Sequence, residues 1–192
     1  MKGRKWNILA AWPVRLLTAL VLGFVLPGVS AALEVGEKAP DFELRSTTGG
    51  KIRLSDFAGK KNVLIEFYIM DFHPGCEAAH RARGFGYEEF QDMDTEVLGI
   101  SVFNPYAQQA FAKTLDLPYP LLSDFPHLKT IKKYGVEQKI GAISTAKQAY
   151  FIVDKQGIVR FKRIMTGFDE DGRYLQNDVL LSELEKINKT GE

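Results

Sequence analysis

Two kinds of apolar pattern alternate along the chain, and they predict different elements. On either side of Ser46-Thr-Thr-Gly-Gly50, the runs Phe42-Glu-Leu-Arg45 and Lys51-Ile-Arg-Leu54 switch between apolar and polar at every step. That is the signature of a half-buried hairpin closed by a glycine-rich turn. Ser55-Asp56 can cap a short helix. Asn62-Val-Leu-Ile-Glu-Phe-Tyr68 is instead nearly continuously apolar, β-branched or aromatic, as expected of a central strand covered on both faces. A loop from Ile69 to Gly75 follows it. Cys76 to Asp92 reads as helical, with Gly84 and Gly86 as weak points, and Thr95-Glu-Val-Leu-Gly-Ile-Ser-Val102 is a second central strand, completing a βαβ unit.

Further along, Pro105 to Leu115 predicts a helix, Pro118 to Asp124 an irregular link, and Leu128 to Tyr134 a short helix stopped by Gly135. Gln148-Ala-Tyr-Phe-Ile-Val-Asp154 and Ile158-Val-Arg-Phe-Lys-Arg-Ile164 flank Lys155-Gln-Gly157 as a second hairpin. Asn177 to Asn188 closes the chain as an amphipathic helix. Strands interleaved with helices predict an α/β sandwich with a mixed central sheet. No repeat, low-complexity tract or linker divides it.

Composition changes this picture at one end. Within 192 residues, Leu16 to Val29 forms an apolar run of about 14 residues behind a basic stretch, and it ends in Val29-Ser30-Ala31 with the small residues a signal peptidase reads. The run is shorter than the roughly 20 residues that span a bilayer. Residues 1–31 are therefore expected to be a secretory signal peptide and 32–192 the domain, placed in the periplasm or secreted without stable membrane insertion after cleavage. An uncleaved anchor is the minor alternative. The 25 Lys and Arg against 24 Asp and Glu include Lys2, Arg4, Lys5 and Arg15 of this segment, which holds no acid, so the body is slightly acidic. It lacks the basic field that a nucleic-acid backbone requires. One cysteine, Cys76, excludes an internal disulfide framework and any multi-thiolate site.

Cys76 stands just beyond the carboxyl end of a central strand and opens a helix, where α/β sheets place their functional groups. Unpaired helix N–H groups and the positive end of the helix dipole are expected to lower its pKa and make it a nucleophile. Phe67-Tyr-Ile-Met-Asp-Phe-His-Pro-Gly-Cys76 resembles the peroxidatic-cysteine loop of the peroxiredoxins, the alkyl hydroperoxide reductase and thiol-specific antioxidant family, whose loop reads roughly F-Y-P-x-x-x-T-x-x-C. Val35-Gly-Glu-Lys-Ala-Pro-Asp-Phe42, Glu96-Val-Leu-Gly-Ile-Ser101, Leu117-Pro-Tyr-Pro-Leu-Leu-Ser-Asp124, Tyr134-Gly-Val136 and Phe151-Ile-Val-Asp154 resemble other family blocks in the right order, most like the bacterioferritin-comigratory branch. The resemblance covers residues 33 to 165.

It implies a thioredoxin fold with an N-terminal hairpin extension, and a thiol peroxidase in which Cys76 attacks hydrogen peroxide or an organic hydroperoxide and becomes a sulfenic acid. With no second cysteine, recycling would fall to an external thiol or thioredoxin-like partner. No organic cofactor and no resident metal are implied, and a homodimer is left open. The family's pocket proline corresponds to Ile69 and its threonine to His73. The glutamate three residues after the cysteine is Ala79, and the late arginine falls on Gln148, beside Lys147. His73 is thus the candidate local partner of Cys76, with Arg81, Arg83 and Gln148 as candidate supports; Lys147, one residue out of register, faces the other way.

The same residues carry a rival. His73, Cys76 and His80 form H-x-x-C-x-x-x-H, ligand types suited to Cu(I) or Zn²⁺ in an extracytoplasmic copper-binding or chaperone protein. A catalytically silent redoxin acting as an interaction module is the third reading. A dithiol oxidoreductase is disfavoured because C-x-x-C is absent. Gly84-Phe-Gly86 lacks the rest of a dinucleotide fingerprint, and Asp169-Glu-Asp-Gly172 has too few spaced oxygens for a calcium loop.

Overall fold

The glycine turn forms as the alternation requires. In a computed structural model, which describes residues 33–165 and 174–190, strand β1 (Glu43–Ser46) pairs antiparallel with β2 (Lys51–Arg53), Leu44 opposite Ile52. Gly49 and Gly50 take φ of 98° and 67°, the left-handed region that closes this turn at no steric cost. A 3₁₀ turn at Leu54–Phe57 follows, and the Asp56 carboxylate accepts from the Arg53 N–H at 2.9 Å.

Strand β3 (Asn62–Phe67) is buried at every residue, Asn62 and Glu66 included, as its nearly continuous apolar run predicts for a central strand. Helix α1 (Pro74–Phe85) and helix α2 (Tyr87–Asp92) meet at Gly86, and β4 (Thr95–Ser101) returns parallel to β3. Helix α3 (Pro105–Thr114) is capped by Asn104, whose side chain accepts from the N–H groups of Tyr106 and Ala107 at 3.1 and 3.0 Å.

The link expected to be irregular contains a strand, β5 (Leu121–Ser123), parallel to β4. Three residues between Pro120 and Asp124 give too short a run for the sequence pattern to register. Helix α4 (Lys129–Lys133) then ends before Gly135. A second unforeseen element, the two-stranded sheet of β6 (Glu137–Ile140) and β7 (Ile143–Ala146), fills the stretch before β8 (Ala149–Val153). β9 (Val159–Ile164) forms the expected hairpin with β8, and α5 (Asn177–Thr190) closes the described chain.

The main sheet has seven strands in the order β2-β1-β5-β4-β3-β8-β9, with β3, β4 and β5 mutually parallel. Period-two alternation sends Val63, Ile65 and Phe67 to one face, against Leu128, Ile131 and Tyr134 around α4. It sends Leu64 and Tyr68 to the other, with Cys76, Phe90, Phe111, Leu180 and Leu184 from the remaining helices. This mixed sheet between helices bears out the expected fold class, with Cys76 on the second face. Among the described residues no helix is long and apolar enough to cross a membrane. The proposed signal segment, 1–31, lies outside the described residues.

Candidate functional site around Cys76

The backbone after β3 reverses sharply before it becomes helix. Phe72 holds φ of 60°, strained for an aromatic residue, and its half-exposed ring packs on Phe111 at a centroid distance of 5.1 Å. The helix starts at Pro74, two residues earlier than expected, because proline fits the first helical position and His73 caps it: the imidazole Nδ1 accepts from the Gly75 N–H at 3.2 Å. Cys76 is the third residue of α1, at the strand-to-helix junction the sequence indicated.

Its environment differs from the expectation. Only 2% of Cys76 is exposed, and burial pushes the thiol pKa up. Hydrogen bonds from the backbone of Met70 and Ile69 act in the opposite direction, while the carboxylates of Glu66 and Asp71 add to the rise. The predicted net lowering is corrected: desolvation, together with the two nearby acids, outweighs the backbone hydrogen bonds from Met70 and Ile69.

Glu66 lies in β3 and faces α1, where it forms an ion pair with Arg83 at 3.2 Å in which neither side chain is exposed. Arg83 also donates to Asn177 Oδ1 and, at 2.9 Å, to the Leu175 carbonyl, and it stacks between the rings of Phe90 and Tyr150. The other Glu66 oxygen accepts from Gln148 Nε2 at 3.0 Å, and the same Gln148 nitrogen reaches the Tyr150 hydroxyl at 2.8 Å. Gln148 thus joins the charged group next to the cysteine, as a neutral donor. Arg83 is committed to Glu66, and Arg81, the other candidate cation, is exposed.

A second buried network surrounds Tyr68. Its hydroxyl donates to Asp71 Oδ1 at 2.9 Å and accepts from Gln108 Nε2 at 3.1 Å, which also meets Ser101 Oγ at 2.9 Å and the Leu122 carbonyl at 2.9 Å. Asp71 Oδ2 is buried with no hydrogen-bond partner among the described residues. Burial raises the Asp71 pKa to about 6, against the lowering effect of the Tyr68 bond. Sequence reasoning missed Asp71, Glu66 and the Tyr68 network; the only available signal was an acid inside each of two apolar runs.

His80 does not approach a ligand set with His73 and Cys76. It is buried, its Nδ1 lies 2.8 Å from the Tyr119 hydroxyl, and its ring stands edge-on to Tyr68 at 4.5 Å. Burial lowers its pKa to about 4. Gly99 makes the room: a Cβ there would stand 3.2 Å from His80 Cε1 and 2.4 Å from Leu121 Cδ2. Among the described residues no group of three His, Cys, Asp or Glu side chains could hold a metal ion, so the structure gives the copper or zinc reading of His73, Cys76 and His80 no assembled ligand set.

Comparison with known proteins agrees with this geometry. The family model described as AhpC/TSA family matches residues 35–162. Over 141 residues the chain is 38% identical to the chloroplastic 2-Cys peroxiredoxin BAS1 of Spinacia oleracea, a match covering 68% of this chain and 52% of that protein. It is 34% identical over 149 residues to alkyl hydroperoxide reductase E of Mycobacterium tuberculosis, covering 77% of this chain and 96% of that one. The chain therefore spans about half the length of some curated relatives and nearly all of others. Among solved structures, the peroxidoxin BcpB from Mycobacterium tuberculosis superposes with a TM-score of 0.70 at 26% identity, covering 81% of this chain and 98% of that one. With a cysteine opening α1 beyond the central strand of a thioredoxin-like sheet, and a family match over most of its length, the chain belongs to the AhpC/TSA peroxiredoxin family.

Proposed function

We propose that the protein is an exported one-cysteine thiol peroxidase, acting outside the cytoplasm on hydrogen peroxide or organic hydroperoxides. The Cys76 thiolate attacks one peroxide oxygen, the O–O bond breaks, and water or an alcohol leaves with a proton, giving a sulfenic acid. An external thiol condenses with it, losing water, and a second thiol releases the mixed disulfide, so two thiols are oxidised per turnover. The observation that carries the reading is the placement of the chain's one cysteine in the first turn of α1, its thiol taking backbone hydrogen bonds from Met70 and Ile69, in a chain of this family.

Treating the purified domain with stoichiometric hydrogen peroxide and following intact mass tests this. A gain of about 16 Da, one oxygen, that disappears in Cys76→Ser is expected. The buried sulfur and its raised pKa favour one competing reading, the catalytically silent interaction module; a thiol that stays unmodified through prolonged peroxide exposure would establish that reading instead.

Gln148 gives a second measure. Gln148→Arg would set a cation against Glu66 and offset the charge that holds the thiol up, so faster oxidation than in the wild type is expected. An unchanged or slower rate would show that Gln148 does not act on the sulfur through Glu66.

A further inference from the structure

Between the β2-β1-β5 end of the sheet, the start of α3 and helix α4 lies a cleft of about 570 Å³, within the usual size range of small-molecule sites. Its walls carry both signs of charge, and cations outnumber acids, with Arg45, Lys51, Arg53, Lys129 and Lys133 against Asp41, Glu43 and Asp124. Glu43 is taken by Lys51 at 2.5 Å and by Arg53 Nε at 2.5 Å. The Asp41 carboxylate accepts from the N–H groups of Phe42 and Ser55 at 2.9 and 3.1 Å. Asp124, only 5% exposed, turns into the protein and accepts from the Ile131 N–H at 2.8 Å.

The cations opposite them are not answered. Among the described residues, Arg45 and Lys129 have no salt-bridge partner, and Lys133 reaches only the Asp41 carbonyl at 3.4 Å. All three are exposed at the cleft wall, with the His127 imidazole beside them. A concave surface bearing a planar guanidinium fork and two ammonium groups, with Glu43 paired to other cations and Asp124 turned inward, is complementary to a ligand with more than one anionic group.

We propose that this cleft binds a small anion carrying two or more phosphate or carboxylate groups, gripped by Arg45, Lys129 and Lys133. The test uses the folded domain and two probes, inorganic pyrophosphate and citrate, by calorimetry at low ionic strength and by amide chemical-shift mapping. Saturable one-to-one binding of at least one probe is expected, with shifts centred on Arg45, Lys129 and Thr130. The paired substitution Arg45→Gln with Lys129→Gln should weaken it at least tenfold, and Lys189→Gln on α5 should leave it unchanged. The stronger probe tells phosphate from carboxylate preference. No saturable binding of either anion, or equal affinity in the paired variant, would overturn the proposal. Matching thermal unfolding of variant and wild type excludes a folding defect as the cause of any loss.

Discussion

At the scale of single residues, the balance of forces on one sulfur governs the chemistry. The position of Cys76 was legible because a mostly apolar central strand followed by a helix places its next nucleophile predictably. Its electrostatics were not legible: burial is created by side chains far along the chain, and Glu66 and Asp71 look in sequence like isolated acids rather than neighbours of the thiol. Asp71 gives the sharpest test. Asp71→Asn retains an acceptor for the Tyr68 hydroxyl but removes a charge that raises the thiol pKa. Alkylation of Cys76 by iodoacetamide at neutral pH is expected to quicken about severalfold, because a larger fraction of the thiol is ionised once that charge is gone. A variant no faster than the wild type would remove Asp71 from the account.

At the scale of elements, the Glu66–Arg83 pair joins β3 to α1, and the further Arg83 contacts with Leu175 and Asn177 join both to the start of α5. Arg83→Met would leave Glu66 buried and without its cation, which costs about 3–5 kcal/mol. A large fall in the urea midpoint is expected, with much of it restored when Glu66→Leu is added, because an apolar pair needs no compensating charge. No restoration would mean that the loss comes from the Leu175 and Asn177 contacts.

Elements with strong periodicity, β3, β4, β8 and α5, were legible to within about two residues. β5 escaped because two prolines crowd a strand of three residues. The β6–β7 pair escaped because its half-exposed, mixed residues follow no sustained alternation. Its Thr145 hydroxyl donates to the Ile69 carbonyl in the loop before Cys76, a contact 76 positions apart that no local pattern announces.

At the scale of the whole molecule, two buried groups give stability opposite dependences on pH. His80 stays neutral in the fold to about pH 4 but takes up a proton near pH 6.5 when unfolded. Its contribution, full above pH 6.5, is therefore lost as pH falls toward 4, on the order of 3 kcal/mol. Asp71 behaves the other way. It protonates near pH 6 in the fold and only near 3.8 unfolded, so the fold gains as pH falls through that window. Asp71→Asn should accordingly be more stable than the wild type at pH 7.5, with the advantage gone by pH 4, as read from urea unfolding at each pH. Parallel curves for the two proteins would refute the assignment.

The Arg83 clamp also decides how much of the protein can move when the sulfur meets a partner. Downstream of His80, helix α1 is fastened to the strand beneath it and to the last helix at once, so it has no freedom to swing outward as a rod. For the external thiol of the proposed cycle to reach Cys76, the opening turn, Pro74 to Ala79, would have to fray while the rest of the helix stands still. Amide exchange would register this as fast solvent labelling that stops abruptly near residue 80, and labelling that runs on through Phe85 would show that the fastening gives way.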